Sequence, residues 1–258
     1  MHWALYVTLT GQHRGDAVTT AITEEMTSRL ASDRSGLAYA STADRVAGLL
    51  RTYIMEGMLP PGSRLPEEVI GQALGVSRNT LRESFRLLRH ERLAVHQTNR
   101  GTFVPVLTPE DVIDLYRLRR LIEGGAARRA GAAGADARTA VKAVADSAAA
   151  AAAAGQWLEV RTADLRFHLA VAALAGSPRL DELMRCALAE LRLVFHATAD
   201  PEQLHGPYVA RNSVIAEMIA AGDGEAAERE LLEYLNDAER QILDAYRPAL
   251  DAGAPPVS

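Results

Sequence analysis

The stretch that decides the fold of the N-terminal half runs from residue 65 to residue 105 and reads LPEEVIGQALGVSRNTLRESFRLLRHERLAVHQTNRGTFVP. Its first part, 67–74, carries apolar residues such as Val69 at helical spacing and is followed by Gly75, which can take the left-handed conformation that ends a helix. Ser77 is a typical N-cap residue for the segment that follows. The pattern therefore predicts two helices joined by a tight turn.

The second of these helices has one apolar face and one basic face. Leu81, Phe85 and Leu88 recur at the spacing of a buried stripe. The rest of the circumference is polar and mostly cationic, with Arg78, Asn79, Arg82, Arg86 and Arg89. Two strand-like runs, 93–97 and 102–104, then flank Asn99-Arg100-Gly101, where glycine permits the positive φ of a hairpin turn. This succession is typical of a winged helix-turn-helix, which reads DNA with its second helix.

The charge distribution supports the same interpretation. Residues 41–106 contain nine arginines and six acidic residues, a net charge of +3, whereas the remaining 19 basic and 27 acidic residues give −8. A basic segment on an acidic chain is suited to contact with DNA phosphates. We therefore predict that double-stranded DNA is bound by the start of the second helix and the tip of the wing. The residues are Ser77, Arg78, Asn79, Thr80, Arg82, Arg100 and Gly101.

This segment resembles the N-terminal domain of GntR-type bacterial transcription regulators. The resemblance is carried, in order and without a gap, by Pro61-Gly62, Leu65, Glu67, Leu74-Gly75-Val76-Ser77-Arg78, Leu81-Arg82-Glu83, Leu88 and Arg100-Gly101-Thr102-Phe103-Val104. The chain departs from the pattern at Glu68, where arginine is common, at Asn79-Thr80, which replace a frequent Thr-Pro, and at Gly71, which replaces a small alanine. The resemblance implies a DNA-binding regulator of transcription.

The length of 258 residues and the hydrophobic content of 48% are sufficient for two domains. We expect a poorly ordered extension over 1–40, the winged helix-turn-helix over 41–106, an all-helical domain over 107–247 and a disordered tail over 248–258. No apolar run approaches the roughly 18 residues that cross a membrane. The single cysteine, Cys186, cannot form an internal disulfide. We expect a cytoplasmic protein with no membrane contact.

The segment after the wing is predicted to be helical throughout. Thr108-Pro109-Glu110-Asp111 has the sequence of a capping box with proline at the first helical position. Six helical patterns, separated by breaks that contain glycine or proline, cover approximately 108–130, 135–154, 157–175, 178–199, 207–221 and 224–246. The predicted fold class is mainly α, with an N-terminal winged helix-turn-helix that carries a small β-hairpin wing, followed by an all-α bundle of about six helices.

The helical half resembles, more loosely, the FCD ligand-sensing domain of the FadR branch of GntR regulators. The resemblance covers 108–246 and is carried by Arg119 and Glu123, Asp164-Leu165-Arg166-Phe167-His168, Gly176-Ser177-Pro178-Arg179-Leu180, and Gly222-Asp223 followed by Ala227. In many FCD domains an aspartate and three histidines hold a divalent metal at the base of the ligand pocket. The resemblance places the aspartate at Asp164 and the first histidine at His168, whereas Asn212 and Tyr234 stand where the other two histidines are expected.

Helical periodicity directs these four polar residues into the bundle. Buried polar groups need partners, which a metal, an effector or a mutual hydrogen-bond network around water would supply. Asp164 and His168 could hold a zinc-like metal, but two ligands fall short of the three or four that such sites use. We therefore expect no cofactor and favour an organic effector bound by Asp164, His168, Asn212 and Tyr234. Arg119 is expected to clamp its carboxylate, the alternative being a surface salt bridge between Arg119 and Glu123.

The combined prediction is a homodimeric, ligand-responsive transcription regulator. It would act as a repressor on an inverted-repeat operator and be released by a small organic acid. Two alternatives stay open, an enzyme that uses Asp164 and His168 and a ligand-independent DNA-binding protein. The sequence contains no nucleophile elbow, phosphate loop or complete metal motif, so we predict that the chain is not an enzyme. A purely architectural DNA binder would not need a second domain with interior polar groups.

Overall fold

The computed structural model describes residues 41–195 and 201–251 of the chain. The N-terminal part consists of helices α1 (Thr42–Met55), α2 (Glu67–Leu74) and α3 (Arg78–His90) and strands β1 (Arg64–Leu65), β2 (Val95–Gln97) and β3 (Gly101–Phe103). Helices α2 and α3 form the predicted helix-turn-helix, and β2 and β3 form the predicted wing. The expected extension over 1–40 lies outside the described residues, as do the last seven residues of the expected tail.

The turn between α2 and α3 has the local structure that its residues predict. Gly75 has a φ of 63°, and the backbone N–H of Val76 donates to the carbonyl oxygen of Gly71 at 3.0 Å. This bond closes a left-handed helix end. Ser77 then caps α3, because its Oγ accepts a hydrogen bond from the backbone N–H of Thr80 at 3.1 Å. The two interactions fix the direction in which α3 leaves the turn.

The wing contains one strand that the sequence did not predict. β3 pairs antiparallel with both β2 and β1, so the order of the sheet is β1-β3-β2. β1 is only two residues long, which is too short for an alternation of polar and apolar side chains to be visible. At the hairpin, Gly101 has a φ of 105° and Asn99 a φ of 63°. Glycine adopts such angles without strain, and asparagine is among the few other residues that tolerate them.

The core of the winged helix-turn-helix contains the predicted stripe of α3, and Leu81, Phe85 and Leu88 are buried. The apolar stripe predicted for α2 is wrong at Val69, which is 63% exposed. Helix α2 has eight residues and no fully buried side chain, so it packs only along one edge, through residues such as Ile70.

Six helices follow the wing. They are α4 (Pro109–Arg128), α5 (Ala135–Ala153), α6 (Trp157–Ala173), α7 (Pro178–Phe195), α8 (Pro201–Ala221) and α9 (Gly224–Asp251), with a 3-10 turn at Ala130–Ala132. The predicted fold class is therefore confirmed. Thr108 and Asp111 form the predicted capping box at the start of α4.

Two helix ends differ from the sequence prediction. Helix α8 begins at Pro201 rather than at 207, and α9 continues to Asp251, beyond the expected domain boundary at 247. The earlier start of α8 places Pro207 inside the helix, and this matters for the polar core described below. Of the helices in 41–195 and 201–251, none combines the length and apolarity that a membrane span requires.

Helix α7 connects the bundle to the winged helix-turn-helix. Leu193 belongs to the apolar cluster of the winged helix, and Arg192 Nε donates a hydrogen bond to the carbonyl oxygen of Met55 at 3.2 Å. Glu190, which is 7% exposed, faces Arg92 at 3.6 Å. Burial raises the pKa of Glu190 to about 7. The contact between the two halves therefore contains both apolar packing and charged groups.

Helices α4 and α9 approach each other closely at Gly224. A Cβ atom at this position would lie 2.2 Å from the carbonyl oxygen of Arg128 and 3.0 Å from that of Ala127. The first distance is far below van der Waals contact, so only glycine allows the two backbones to meet here. This approach sets the register between the helices that carry Glu123 and Tyr234 of the polar core.

Candidate functional site

The predicted DNA-contacting residues lie on an exposed surface of α3 and on the wing. Ser77, Arg78, Asn79, Arg82 and Arg100 are exposed, whereas Thr80 and Gly101 are partly buried. Between α3 and the wing lies a cleft of about 280 Å³. It is lined by Glu67, Arg82, Phe85, Arg89, His96 and Thr102. Helix α3 and the wing, the two elements predicted to contact DNA, therefore border the same cleft.

Ion pairs divide the arginines of this surface into two groups. Arg82 Nε lies 3.0 Å from Glu67 Oε2, and Arg86 pairs with Glu83 at 2.7 Å. Across the described part of the chain, Arg78 has no carboxylate within ion-pair distance. Exposed ion pairs contribute at most about 1 kcal/mol, so Arg82 can exchange Glu67 for a phosphate or a base at little cost.

The four polar residues predicted to face the bundle interior meet there. Asp164 and His168 come from α6, Asn212 from α8 and Tyr234 from α9, and all are buried. Asn212 Nδ2 donates to Asp164 Oδ1 at 2.9 Å, and the Tyr234 hydroxyl donates to the same oxygen at 3.2 Å. The Tyr234 hydroxyl also lies 3.1 Å from His168 Nε2. The structure therefore brings all four residues into one hydrogen-bonded cluster.

His205 is a fifth member of this polar core, and the sequence analysis missed it. Its Nδ1 lies 3.3 Å from Asp164 Oδ2, and the residue is 2% exposed. Because α8 begins at Pro201, His205 precedes Asn212 by seven residues and shares its face of the helix. That spacing was present in the sequence, but Pro207 suggested a helix start and so placed His205 in a loop.

Arg119 and Glu123 of α4 complete the core from the opposite side. Arg119 Nε donates to Glu123 Oε1 at 2.7 Å, and the side chains are 3% and 0% exposed. The alternative of a surface salt bridge is thus wrong in its location, because the pair is formed in the bundle interior. Glu123 Oε2 lies 2.6 Å from His168 Nδ1. The Glu123 carboxylate therefore links Arg119, the residue predicted to bind the effector carboxylate, to His168.

The hydrogen-bond directions define the charges in this chain of contacts. Glu123 and Asp164 can only accept hydrogen bonds while they are ionised, and the Tyr234 hydroxyl has a single proton to donate. If Tyr234 donates to Asp164, His168 must donate through both Nδ1 and Nε2 to satisfy every contact. With two protons on His168, the positive charges of His168 and Arg119 balance the two carboxylates.

The electrostatic environment agrees with ionised carboxylates and a neutral phenol. Burial alone would raise the pKa of Glu123, but the charges of Arg119 and His168 hold it below its ordinary value. Burial also acts upward on Asp164, whereas hydrogen bonding to His205 and the charge of His168 keep its pKa well below the usual range. Burial raises the pKa of Tyr234 well above its ordinary value, so the hydroxyl keeps its proton.

The space beside the core is small. A cavity of about 20 Å³ is bordered by residues of α4, α6, α7, α8 and α9, including Arg119, His205 and Tyr234. That volume admits about one water molecule. Within the polar core, three buried polar atoms have no hydrogen-bond partner among the described residues, namely Arg119 Nη2, His205 Nε2 and Asn212 Oδ1. In this closed arrangement, the core therefore has unused hydrogen-bonding capacity.

The core does not have the geometry of a metal site. A tetrahedral zinc-like centre requires at least three protein ligands that converge on one point. In the parts of the chain that the structure describes, no group of three histidine, cysteine or acidic side chains is placed to hold a metal. His168 Nε2 is 3.9 Å from Asp164 Oδ1, and both atoms form hydrogen bonds with the Tyr234 hydroxyl rather than pointing at a common metal position. These residues do not fit a metal, so we assign no role to one.

A side-chain contact secures the first turn of α8 against α9. Pro207 has no N–H, so the carbonyl group of Gln203, four residues earlier, lacks its helical partner. Gln241 of α9 replaces that bond, because its Nε2 donates to the Gln203 oxygen at 2.8 Å. At the start of α8, an exposed side-chain hydrogen bond therefore takes the place of a backbone one.

Comparison with known proteins matches both halves of the chain. Residues 42–104 fit the family model "Bacterial regulatory proteins, gntR family", and residues 114–237 fit the FCD domain. The galactonate operon transcriptional repressor of Escherichia coli (strain K12) is 27% identical over 219 residues, which cover 77% of this chain and 96% of that protein. The gluconate operon transcriptional repressor of Bacillus subtilis (strain 168) is 34% identical over 87 residues, 34% of this chain and 35% of that protein.

Solved structures show the same architecture. A transcriptional regulator described as GntR, from Rhodococcus sp. RHA1, is 46% identical, with a TM-score of 0.73 over 81% of this chain and 100% of that one. E. coli McbR/YncC is 18% identical and has a TM-score of 0.68 over 81% of this chain and 100% of that one, a likeness of fold.

The buried pair of Arg119 and Glu123 generates the first testable prediction. Arg119→Met should lower the free energy of unfolding by about 3–5 kcal/mol, because it leaves the buried core with two carboxylates and one cation. In a double-mutant cycle with Glu123→Met, we expect a coupling of at least about 2 kcal/mol, measured by urea denaturation.

The exposed pair of Arg86 and Glu83, on α3, is the matched control. The same cycle with Arg86→Met and Glu83→Met should give a much smaller coupling than the buried pair, because water screens the exposed charges. Equal couplings for the buried and the exposed pair would contradict the description of the core as an ionic network shielded from water.

Proposed function

The chain belongs to the GntR family of bacterial transcription regulators and carries an FCD domain, and on that premise we propose that it is a dimeric repressor released from its operator by a small hydroxylated organic acid. The observation that carries the effector proposal is the set of unused polar atoms in the bundle interior, Arg119 Nη2, His205 Nε2 and Asn212 Oδ1. Buried polar atoms without partners are costly, and a ligand that satisfies them gains that free energy on binding.

Helix α3 is the element that we propose to enter the major groove. Arg78 follows the N-cap directly and has an exposed side chain with no ion-pair partner among the described residues. In helix-turn-helix proteins the N-terminal residues of this helix contact base edges. Arg100 and Gly101 lie at the tip of the wing and would contact the adjacent minor groove. Ser77, Asn79, Thr80 and Arg82 complete the proposed contact surface.

Dimerisation would let two such helices read two operator half-sites. A single winged helix covers too few base pairs for selectivity in a genome, so an inverted repeat read by a symmetric dimer is the natural arrangement. Leu121 on α4 is 80% exposed, the largest exposed fraction among the large apolar side chains of the described residues. We propose that the face of α4 around Leu121 forms the contact between the two subunits.

The effector class follows from the chemistry of the unused atoms. Arg119 Nη2 is a donor that suits a carboxylate, and a guanidinium can serve Glu123 through Nε and a ligand through Nη2 at the same time. Asn212 Oδ1 accepts a hydrogen bond, which a hydroxyl group donates. A hydroxylated acid offers both groups. Two relatives of the chain are named for the galactonate and gluconate operons, and both compounds are acids of this kind.

The closed cavity of about 20 Å³ requires the bundle to open before such an acid enters. We propose that the start of α8 is the part that moves, because it carries His205 and because the carbonyl oxygen of Gln203 there is bonded by the Gln241 side chain rather than by the helix backbone. An effector that binds the open form more tightly shifts the equilibrium by its difference in affinity for the two forms. A coupling of about 3 kcal/mol would weaken operator binding roughly 150-fold.

We propose no catalytic role for Asp164 and His168. Each makes buried hydrogen bonds with neighbouring side chains, and the space beside them admits about one water molecule. A substrate would therefore first have to displace the groups that hold these residues in place. The same interior polar groups argue against a ligand-independent DNA binder, for which an unsatisfied core brings only a cost in stability.

The DNA-reading role of Arg78 is testable with duplexes that the protein itself selects from a random pool. Arg78→Ala should weaken specific binding by about 1–3 kcal/mol if a base contact is lost, or reduce the slope of log affinity against log salt by about 1 if a phosphate contact is lost. Arg240→Ala, on an exposed part of α9, is the control and should change neither quantity. Wild-type affinity and salt slope for Arg78→Ala would refute this placement of α3.

Light scattering on the purified chain tests the proposed subunit contact. The wild-type protein should have twice the chain mass of 27.8 kDa. Leu121→Glu should produce monomers, because a charge at the centre of an apolar contact must be desolvated without a partner. Leu158→Glu, which replaces another exposed leucine on α6, should remain dimeric. If the dimer persists in Leu121→Glu but dissociates in Leu158→Glu, the subunits are in contact through α6 around Leu158 and not through α4 around Leu121.

Release of the operator by acids tests the effector proposal. In fluorescence anisotropy, a panel of hydroxy acids that begins with D-galactonate and D-gluconate should include one that releases labelled operator, while D-galactose, which lacks the carboxylate, should not. His205→Phe should raise the acid concentration for half-release roughly tenfold, because Nε2 of a neutral His205, whose Nδ1 donates to Asp164, can no longer accept a hydrogen bond from the effector hydroxyl.

Tyr246→Phe is the matched control in the same bundle. It also removes a buried hydrogen-bonding group, the hydroxyl that donates to the carbonyl oxygen of Leu107, but this group lies outside the polar core. Its release curve should therefore match the wild type. No release by any hydroxy acid, or an unchanged response of His205→Phe, would refute the proposed effector site.

A further inference from the structure

A second cavity, of about 470 Å³, lies where the winged helix-turn-helix meets the bundle. Its wall is largely apolar and comes from three helices, with Met55 on α1, Leu165 and Leu169 on α6, and Cys186, Leu188 and Ala189 on α7. Cavities of a few hundred Å³ with apolar walls are typical of small-molecule sites. This seam cavity is more than twenty times larger than the space beside the polar core.

The charged groups around the seam cavity are mostly arginines. Four arginines and two glutamates border it, namely Arg51, Arg166, Arg185, Arg192, Glu91 and Glu182. Both glutamates are already engaged, because Glu91 accepts from Arg51 at 2.6 Å and Glu182 pairs with Arg185. The border therefore has an excess of positive charge that its own carboxylates do not balance.

Arg192 is the partly buried arginine of this border that has no carboxylate partner among the described residues. It is partly buried, and its described hydrogen bond runs from Nε to the carbonyl oxygen of Met55, a neutral acceptor. Burial lowers the pKa of Arg192, and the nearby charge of Arg161 lowers it further. Glu56 attracts it from a distance, but the pKa stays below the ordinary value, so this attraction does not compensate for the burial.

Arg161 is a second uncompensated cation, which does not line the seam cavity but whose charge acts on Arg192. It is partly buried, and burial lowers its pKa. Its Nε is buried and has no hydrogen-bond partner in 41–195 or 201–251. Two guanidinium groups that repel each other and have no carboxylate partner are an arrangement that an anion stabilises.

We propose that the seam cavity binds a second small molecule, an organic anion with a compact apolar body whose carboxylate lies against Arg192 of the cavity lining. The apolar part would contact the leucines and Met55 along the wall, and the carboxylate would accept hydrogen bonds from the Arg192 guanidinium. The uncompensated charge of Arg192, to which Arg161 adds, favours an anionic ligand, and the apolar lining favours a body without hydroxyl groups.

This site is distinct from the polar core and does not depend on the function proposed for it. The two cavities have Leu165 in common, but the seam cavity contains none of the polar residues of the core. An occupant of the seam would contact α1 of the winged helix-turn-helix and α6 and α7 of the bundle at once. It would therefore hold the DNA-binding half against the effector-binding half.

A charged probe and its neutral counterpart test the proposal on the full chain. In isothermal titration calorimetry, 2-naphthoate should bind at least roughly tenfold more tightly than 2-naphthamide, which has the same ring system without the charge. Arg192→Gln should weaken naphthoate binding by roughly 10- to 100-fold, Arg161→Gln should weaken it by a smaller factor, and both should leave naphthamide binding unchanged. Circular dichroism establishes that each variant is folded.

Two further variants separate this site from the rest of the molecule. Arg240→Gln removes an exposed arginine far along α9 and should leave naphthoate binding unchanged. Tyr234→Phe alters the polar core and should also leave it unchanged. Equal binding of acid and amide, no binding of either compound, or naphthoate binding that is lost with Tyr234→Phe but kept with Arg192→Gln would overturn the proposal. None of these outcomes bears on operator release by hydroxy acids.

Discussion

The hydrogen bond between Glu123 and His168, 2.6 Å long and fully buried, is the interaction on which the rest of the bundle depends. It joins α4 to α6, and through the Tyr234 hydroxyl it reaches α9 and Asp164. Two carboxylates in an apolar interior are tolerable only if cations and donors surround them. The helices are therefore confined to positions in which this chain of contacts is closed, and the polar core fixes the geometry of the bundle as much as its apolar packing does.

The same constraint makes the core suited to sensing a ligand. A network that is charge-balanced but retains three unused polar atoms is stable without an effector and gains further hydrogen bonds when one enters. The element that shields it, the first turn of α8, is secured by a side chain in place of the backbone bond that Pro207 cannot make. Helix α7 contributes both to the wall of the core and to the packing of the winged helix-turn-helix, so in the proposed function it is the element that would couple the two halves.

The sequence predicts the DNA-binding half in nearly every detail because its signals are local. The left-handed Gly75, the Ser77 cap and the stripe of α3 each depend on residues a few positions apart. The polar core was predictable in part, since helical spacing directs Asp164 and Tyr234 inward. Two features of the polar core could not be predicted in this way: the complete burial of Glu123 and the inclusion of His205. Both depend on how α4 and α8 pack against the other helices, and no short-range sequence pattern encodes that packing. His205 was missed because Pro207 was interpreted as the start of a helix, where proline is more common than in a helix interior.

The central claim is that His168 donates through both ring nitrogens and so balances Glu123 and Asp164 in the unliganded core. Long-range proton–nitrogen NMR of the histidine side chains tests it most directly, with His168→Gln used to assign the signals. The account predicts that both nitrogens of His168 have the shifts of a protonated imidazolium. A spectrum in which Nε2 of His168 carries no proton would contradict the account, because the Tyr234 hydroxyl could not then serve both His168 and Asp164.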